Sequence, residues 1–144
     1  MPFDRLRIRI GGDRAIIRAL NRLEKDARGA AADDALRAGA RYVRRVMRRE
    51  APMGRTGNLR KDVVIKKPAG QRPLSVLWHV AARAQHAYIV GFGTAERFTK
   101  AGASRGKQPP NPFASRAADI SEGRAKRLML RRLKKSLLRS AGRR

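Results

Sequence analysis

The sequence predicts an α+β fold, in which a small antiparallel β-sheet of about four strands is packed by two N-terminal helices and a long C-terminal helix. Apolar residues alternate with polar ones near the N-terminus and again in the middle of the chain, which is typical of strands with one dry face. Between these regions and near the C-terminus they recur every three or four residues, which indicates amphipathic helices. The connections in the middle are too short for crossover helices, so the strands there should be antiparallel.

The N-terminal region should contain one strand and one helix. The stretch "RLRIRI", residues 5–10, alternates arginine with leucine or isoleucine and ends at a Gly-Gly pair. Asp13 follows and can cap a helix, because its carboxylate can accept hydrogen bonds from the free N–H groups of the first turn. Isoleucines and leucines at helical spacing carry this helix to about Asp26.

A second helix is predicted from about Asp33 to Glu50. Two aspartates lie in its first turn and arginines crowd its last turn, an arrangement that complements the helix macrodipole. Pro52 should then end the helix, since proline lacks the N–H that a helix interior requires. The apolar stripe that should face the core consists of Leu36, Ala40, Val43 and Met47.

Three more strands should pair as a meander, at Leu59 to Lys67, Ser75 to Ala81 and Ala87 to Phe92. Trp78, the only tryptophan, lies in the middle strand and is expected to be largely buried. The apolar residues assigned to this sheet are Val63, Ile65, Val76, Trp78, Val80, Ile89 and Val90.

The chain after the sheet divides into a loop and a helix. Residues 96–111 are polar and contain the run "QPPNP", so they are predicted to form a mobile loop. A long helix should begin at Phe113, and residues 140–144 should be its frayed basic tail. Its apolar residues, on or near one face, are Leu128, Leu130, Leu133 and Leu137. The length of 144 residues fits a single domain over 1–144.

Positive charge is the most extreme property of the composition. Lysine and arginine number 36 against 11 aspartates and glutamates, which gives a net charge of +25. Such a chain should lie beside an anionic partner, either nucleic acid or an acidic protein surface. The absence of cysteine excludes disulfides and thiolate metal sites. The sequence has no run of apolar residues long enough to span a membrane and no signal-peptide pattern, so we expect no membrane contact and a cytoplasmic product.

Catalytic chemistry is poorly supported by the sequence. His79 and His86 are the only histidines, and neither has an acidic neighbour in sequence. The carboxylates are scattered, and the stretches "GGDRA" and "GFGTAERF" match neither a P-loop nor a dinucleotide fingerprint. We therefore predict a protein that is not an enzyme and that has no cofactor, metal site or small-molecule substrate.

The second helix carries an arginine-rich face. This face is either a solvated surface or a contact for DNA or an acidic partner. Aromatic residues are sparse, so a contact with nucleic acid should reach phosphates without reading bases. The residues of this candidate contact are Arg41, Arg44, Arg45, Arg48 and Arg49.

Three short motifs follow one another between the end of the second predicted helix and the start of the last one. They are "APMGRTGNLR" at Ala51–Arg60, "AYIVGFGT" at Ala87–Thr94 and "NPFASRAAD" at Asn111–Asp119. With the N-terminal strand, Gly-Gly pair and helix, they make the chain resemble the head–tail connection, or tail-completion, family of long-tailed phages, built around a tail component of lambdoid phages. The resemblance covers nearly the whole chain. Two positions depart from the family pattern: Gly91 replaces its usual glutamate and Ala117 a frequent proline.

The resemblance implies a structural protein of the virion. Copies of the chain would form a ring, with a hexamer favoured, at the neck between the DNA-filled head and the tail. Its partners would be other copies, neighbouring neck and tail-tube or terminator proteins, and the DNA of the channel, contacted without sequence preference. The protein would be in the host cytoplasm before assembly. The alternative is a small basic nucleic-acid-binding protein of nucleoid or ribosomal type, which composition alone favours.

The motifs supply the candidate assembly residues. In the first motif, Thr56 and Asn58 are expected to bond the backbone of the turn. Arg55 and Arg60 should project outward to acidic neighbours or DNA, and the alternative is an ordinary helix-to-strand turn with no partner. Phe98 and Phe113 are the large apolar anchors in and beside the loop. The complete set is Arg55, Thr56, Gly57, Asn58, Arg60, Phe92, Gly93, Thr94, Phe98, Pro112 and Phe113.

Overall fold

A computed structural model of the chain describes residues 7–10, 25–69 and 76–141. The predicted helix from Asp13 to about Asp26 lies almost entirely outside the described residues, as does most of the predicted tail. Within them, the α+β fold with antiparallel pairing and a long C-terminal helix is confirmed. Among the described residues, no helix is both long enough and apolar enough to cross a membrane.

Two long helices form one side of the molecule. Helix α1 spans Lys25–Glu50, and the C-terminal helix α4 spans Phe113–Ala141. At 1.5 Å per residue they are about 39 and 43 Å long. The predicted stripe on α1 is confirmed, because all four of its side chains are buried. Helix α4 buries its matching face against α1 through Phe113, Ala117, Ala125, Met129 and Leu133.

A three-stranded antiparallel sheet packs on α1. Its strands are β1 (Arg7–Ile10), β2 (Val63–Lys66) and β3 (Trp78–Ala82), in the spatial order β1–β3–β2. Val63 pairs with Ala82, and Ile65 with Val80, which places these four side chains on the core face. Trp78 packs against this core as a partly buried residue with most of its surface covered, which agrees with the prediction that it is largely buried.

The predicted third strand of the meander is a helix. Helix α3 spans Ala87–Phe92, and β1 takes the place beside β3 that this segment was expected to fill. Its β-branched and aromatic residues favour a strand, but the helix buries Ala87 and Gly91. The helix ends at Gly93, whose N–H donates to the Ile89 carbonyl over 2.9 Å. Tertiary packing here overrides local propensity.

The predicted strand from Leu59 to Lys67 is also shorter than expected. Its first part is the helical turn α2, Asn58–Lys61, and only Val63–Lys66 pairs with β3. Leu59 is buried within the turn and fills the core, as an inward-facing strand residue would have done.

The polar segment 96–111 contains a hairpin rather than an irregular loop. Strand β4 (Arg97–Phe98) pairs with β5 (Ser104–Gly106), and every residue of both strands is exposed. A two-stranded hairpin without a buried face is marginally stable on its own. The mobility of this segment therefore stays a prediction, although two short strands are present where a loop was expected.

Candidate functional site

The first motif forms the joint between α1 and the sheet. Ala51 is buried, and Gly57 adopts the left-handed conformation with φ 64° and ψ 10°. A side chain at that position would be strained, which explains the glycine. The Asn58 N–H donates to Thr56 Oγ1 over 3.5 Å, as expected for Thr56. Arg55 is exposed at the tip of the turn.

Arg60 does not project outward as predicted. Its Nε donates to the Ala51 carbonyl over 2.7 Å, and a terminal guanidinium nitrogen donates to the Arg49 carbonyl over 3.3 Å. These carbonyls belong to the end of α1, where backbone acceptors lack helical partners and the macrodipole is negative. Arg60 therefore closes the end of the helix, and its contact with a partner stays a prediction.

The second and third motifs are tied together behind the hairpin. The Thr94 N–H donates to the Gln108 carbonyl over 2.9 Å, and the Gln108 N–H donates to Thr94 Oγ1 over 3.2 Å. The Asn111 N–H donates to the Val90 carbonyl over 2.9 Å. Gly93 makes this close approach feasible, because a Cβ there would lie 2.6 Å from the Gln108 carbonyl oxygen. The motif residues thus hold the entry of α4 against the end of α3.

Phe113 is part of the core, whereas Phe98 is not. Phe113 is the largest fully buried side chain of the described residues, and 0% of it is exposed. Phe98 is 61% exposed on the hairpin. Only Phe98 of this pair is therefore available as an anchor for a partner. Pro112 is exposed immediately before α4 begins.

One face of α3 is apolar and solvent-exposed. Tyr88 and Phe92 are 52% and 58% exposed, and their ring centroids lie 4.7 Å apart. Ile89 is exposed beside them. Residues 84–95 contain no lysine, arginine, aspartate or glutamate, in a chain of which 33% is charged. We call Tyr88, Ile89 and Phe92 the aromatic face.

A basic groove runs between α1 and α4. It has a volume of about 510 Å³. Six of its side chains are cationic and one is a carboxylate. The groove is lined by Asp34, Arg37, Ala38, Arg41, Tyr42, Arg45, Leu128, Arg131, Arg132 and Lys135.

The carboxylate of the groove holds one of its cations. Asp34 Oδ2 lies 2.7 Å from Arg132 Nε and accepts a hydrogen bond from Ser136 Oγ over 3.3 Å. The hydrogen bond from Arg132 holds the pKa of the Asp34 carboxyl below its ordinary value. The ion pair links α1 to α4 across 98 positions of sequence and fixes one end of the groove.

The predicted arginine face of α1 is divided by the fold. Arg41 and Arg45 line the basic groove. Arg48 donates to the Lys61 carbonyl over 3.1 Å, and Arg49 lies 3.7 Å from Glu50. Arg44 is half-buried, and burial, assisted by the neighbouring arginines, lowers the pKa of its guanidinium.

Sequence reasoning missed the other cations of the groove. Arg37 shares a spacing of four residues with Arg41 and Arg45, which places the three on one row of the helix. This signal was present in the sequence. The contribution of α4, namely Arg131, Arg132 and Lys135, depends on how the two helices pair and has no local signal.

A second basic cavity lies on the face of the sheet that points away from α1. Its volume is about 380 Å³, and the predicted strand histidine, His79, lies there. The charged residues that line it are Lys66, Lys67 and Arg83. Across the described ranges, no cluster of histidine, aspartate or glutamate could hold a metal ion.

A family model described as "Bacteriophage HK97-gp10, putative tail-component" matches residues 14–93. This match covers more than half of the 144 residues. The chain belongs to this family. The description of this family as a phage tail component makes the chain a structural phage protein of the virion. No curated protein and no solved structure matches the chain.

The family match separates the chain into two parts. The "APMGRTGNLR" joint and α3 lie within it, and it ends at Gly93, where the tie to α4 begins. The hairpin and α4 follow the matched region. The basic groove therefore combines α1, from the matched region, with α4, from outside it.

Proposed function

We propose that this HK97-gp10-like protein is a head–tail connector protein, acting in the neck or in tail completion. Copies form a ring, with a hexamer favoured, that joins the DNA-filled head to the tail around the DNA channel. The observation that carries this proposal is the exposed aromatic face of α3 on a chain with a net charge of +25.

Electrostatic repulsion makes the aromatic face the favoured contact between copies. Two chains that each carry +25 repel one another wherever basic surfaces approach. The uncharged run 84–95 is where that repulsion is weakest, and its aromatic side chains belong to the type that dominates interface energies. A closed ring requires this face to meet a different patch of the next copy, since head-to-tail contacts are heterologous.

The hairpin supports contacts with other neck proteins. Every residue of its two strands is exposed, and Phe98 lies between the basic residues Arg97 and Lys100. An apolar anchor flanked by positive charge suits an acidic surface with an apolar pocket, as in a neighbouring neck, tail-tube or terminator protein. DNA in the channel is a further partner, contacted through phosphates without sequence preference.

The oligomeric state of the purified chain without nucleic acid tests the proposal. Mass photometry of nuclease-treated protein should show one ring species for the wild type. The double variant Tyr88→Ser, Phe92→Ser should be monomeric. The control Ile120→Ser, Leu138→Ser removes two exposed apolar side chains from α4 and should retain the ring.

One outcome would contradict the ring, and another would contradict its proposed contact. The wild type could stay monomeric at every concentration and also fail to assemble when mixed with purified tails. Alternatively, the Tyr88 and Phe92 double variant could form the same ring as the wild type, which would exclude the aromatic face as the contact.

A small nucleic-acid-binding protein is the second candidate function, and the basic groove favours it. In that case the chain would be monomeric without nucleic acid and would assemble only along it. Complementation of a phage that lacks the gene separates the two functions: a connector is required for joining heads to tails, whereas a nucleic-acid-binding protein is not.

A further inference from the structure

We infer that the basic groove between α1 and α4 is a binding site for the phosphate backbone of duplex DNA. This inference goes beyond the structural role proposed above, because it assigns the DNA contact to one set of side chains. It does not require that the protein form a ring.

The groove holds positive charge that the protein itself does not neutralise. Its one carboxylate, Asp34, is engaged by Arg132. No ion pair joins Arg41, Arg45, Arg131 or Lys135 to a carboxylate within the described ranges. The acidic partners of the observed ion pairs elsewhere are Asp33, Glu50 and Glu122. A bound polyanion would supply the missing negative charge.

The length of the groove suits a polymer rather than a single small anion. Arg37, Arg41 and Arg45 form one row whose ends lie eight positions apart, a rise of about 12 Å along the helix. Each strand of duplex DNA carries one charge per about 3.4 Å of the axis, so about three to four phosphates of one backbone lie within that length. Arg131 and Lys135 form a second row, four residues apart on α4. Two rows of cations can therefore follow one backbone.

The chemistry of the lining favours phosphate over base recognition. Five of the six cations are arginines, whose planar guanidinium groups bind phosphate oxygens through paired hydrogen bonds. Tyr42 is the only aromatic side chain in the lining, and the Arg124 guanidinium lies 5.5 Å from its ring centroid. A platform for stacking bases is therefore absent from this lining, and contact with DNA should be independent of sequence.

Matched triple variants test the site. The groove variant is Arg41→Gln, Arg45→Gln, Arg131→Gln. The control, Lys100→Gln, Arg127→Gln, Lys134→Gln, removes exposed cations that do not line the groove. Each reduces the net charge from +25 to +22, because three positive charges are removed. Binding is measured by fluorescence anisotropy with a labelled duplex of scrambled sequence, over a range of salt concentrations.

The groove variant should bind the duplex at least about tenfold more weakly than the control at near-physiological salt, where phosphate contacts dominate non-specific affinity. Its log–log salt dependence should be flatter by about 0.9 for each phosphate that the variant no longer neutralises. Thermal unfolding should show both variants folded, since all six side chains are exposed.

Equal affinities of the two variants would overturn the inference, because binding would then follow net charge alone. Polyglutamate serves as a competitor that represents an acidic protein partner. Displacement of the duplex by polyglutamate at the same charge concentration would also overturn it in favour of an acidic partner. The ring measurement on the groove variant distinguishes this failure from that of the proposed function, since loss of DNA binding should leave the oligomer intact.

Discussion

The indole Nε1 of Trp78 donates a hydrogen bond to Oδ1 of Asp33 over 3.1 Å. The bond joins strand β3 to helix α1 across 45 positions of sequence. The same carboxylate oxygen lies 2.8 Å from Nζ of Lys67, which follows β2. The Arg37 guanidinium lies 5.7 Å from the centroid of the Trp78 ring. Asp33 thus connects the helix to two strands, and Trp78 is held by polar contacts as well as by packing.

Substitution of Asp33 by alanine should lower the free energy of unfolding by about 1.5–3 kcal/mol, because a hydrogen bond to a charged group is removed together with an ion pair. Asp33→Asn should cost less, since the amide oxygen can still accept from the indole. Urea unfolding monitored by the fluorescence of Trp78, the sole tryptophan, measures both variants. An unchanged midpoint for Asp33→Ala would contradict the structural role of this contact.

The spacing of apolar residues correctly predicted the elements that are placed by burying one apolar face. The α1 stripe around Val43 and Met47 and the start of α4 at Phe113 are examples. The strand predicted at Ala87–Phe92 was wrong because its residue types favour a strand, whereas helical packing of Ala87 and Gly91 decides its conformation. The basic groove could not be predicted in full, since its two rows of cations meet only through the pairing of distant helices.

Helices α1 and α4 approach closely at Gly39. A Cβ added there would lie 2.6 Å from Met129 Cγ and 2.7 Å from its Sδ, and Met129 is buried. Gly39→Ala should therefore lower the free energy of unfolding by about 1–2 kcal/mol, as overpacking exceeds the gain in helix propensity. Gly29→Ala, in the same helix with no atom within 4 Å, should instead raise stability by about 0.5–1 kcal/mol. Equal melting temperatures of the two variants would contradict close packing at Gly39.

The tie between α3 and α4 depends on Gly93. Its φ of 76° and ψ of −175° belong to a region that is nearly exclusive to glycine, and a Cβ would also meet Gln108 and Pro110. Gly93→Ala should cost about 1–2 kcal/mol more than Gly102→Ala, since overpacking adds a cost of this order to the backbone strain. Gly102 has a similar φ of 82°, but a Cβ added there would have no atom within 4 Å. Chemical unfolding of both variants measures the difference. Equal losses in the free energy of unfolding would show that close packing against Gln108 and Pro110 adds no cost at Gly93.

The Asp34–Arg132 ion pair should contribute to stability in a pH-dependent way. Because the pKa of Asp34 is lowered in the folded state, its contribution is present above the ordinary carboxyl pKa of 3.8 and is lost as the pH falls through the folded value. The pair is partly exposed, so we expect only about 0.2–1 kcal/mol. Asp34→Asn should lower the melting temperature near neutral pH and converge with the wild type in acid. A constant difference between the two proteins at all pH values would contradict this linkage.

The two phenylalanines beside the hairpin should behave differently in assembly. The sequence marked both as apolar anchors, but Phe113 is fully buried while Phe98 is 61% exposed. Phe113→Ala should cost about 3–5 kcal/mol, a large part of the roughly 5–15 kcal/mol that usually stabilises a domain. Phe98→Ala should leave the melting temperature unchanged and reduce the yield of tailed, infectious particles when complemented lysates are mixed. Phe98→Leu, which retains an apolar side chain, should restore part of that yield. Normal joining of heads to tails by folded Phe98→Ala protein would show that the hairpin is not an assembly contact.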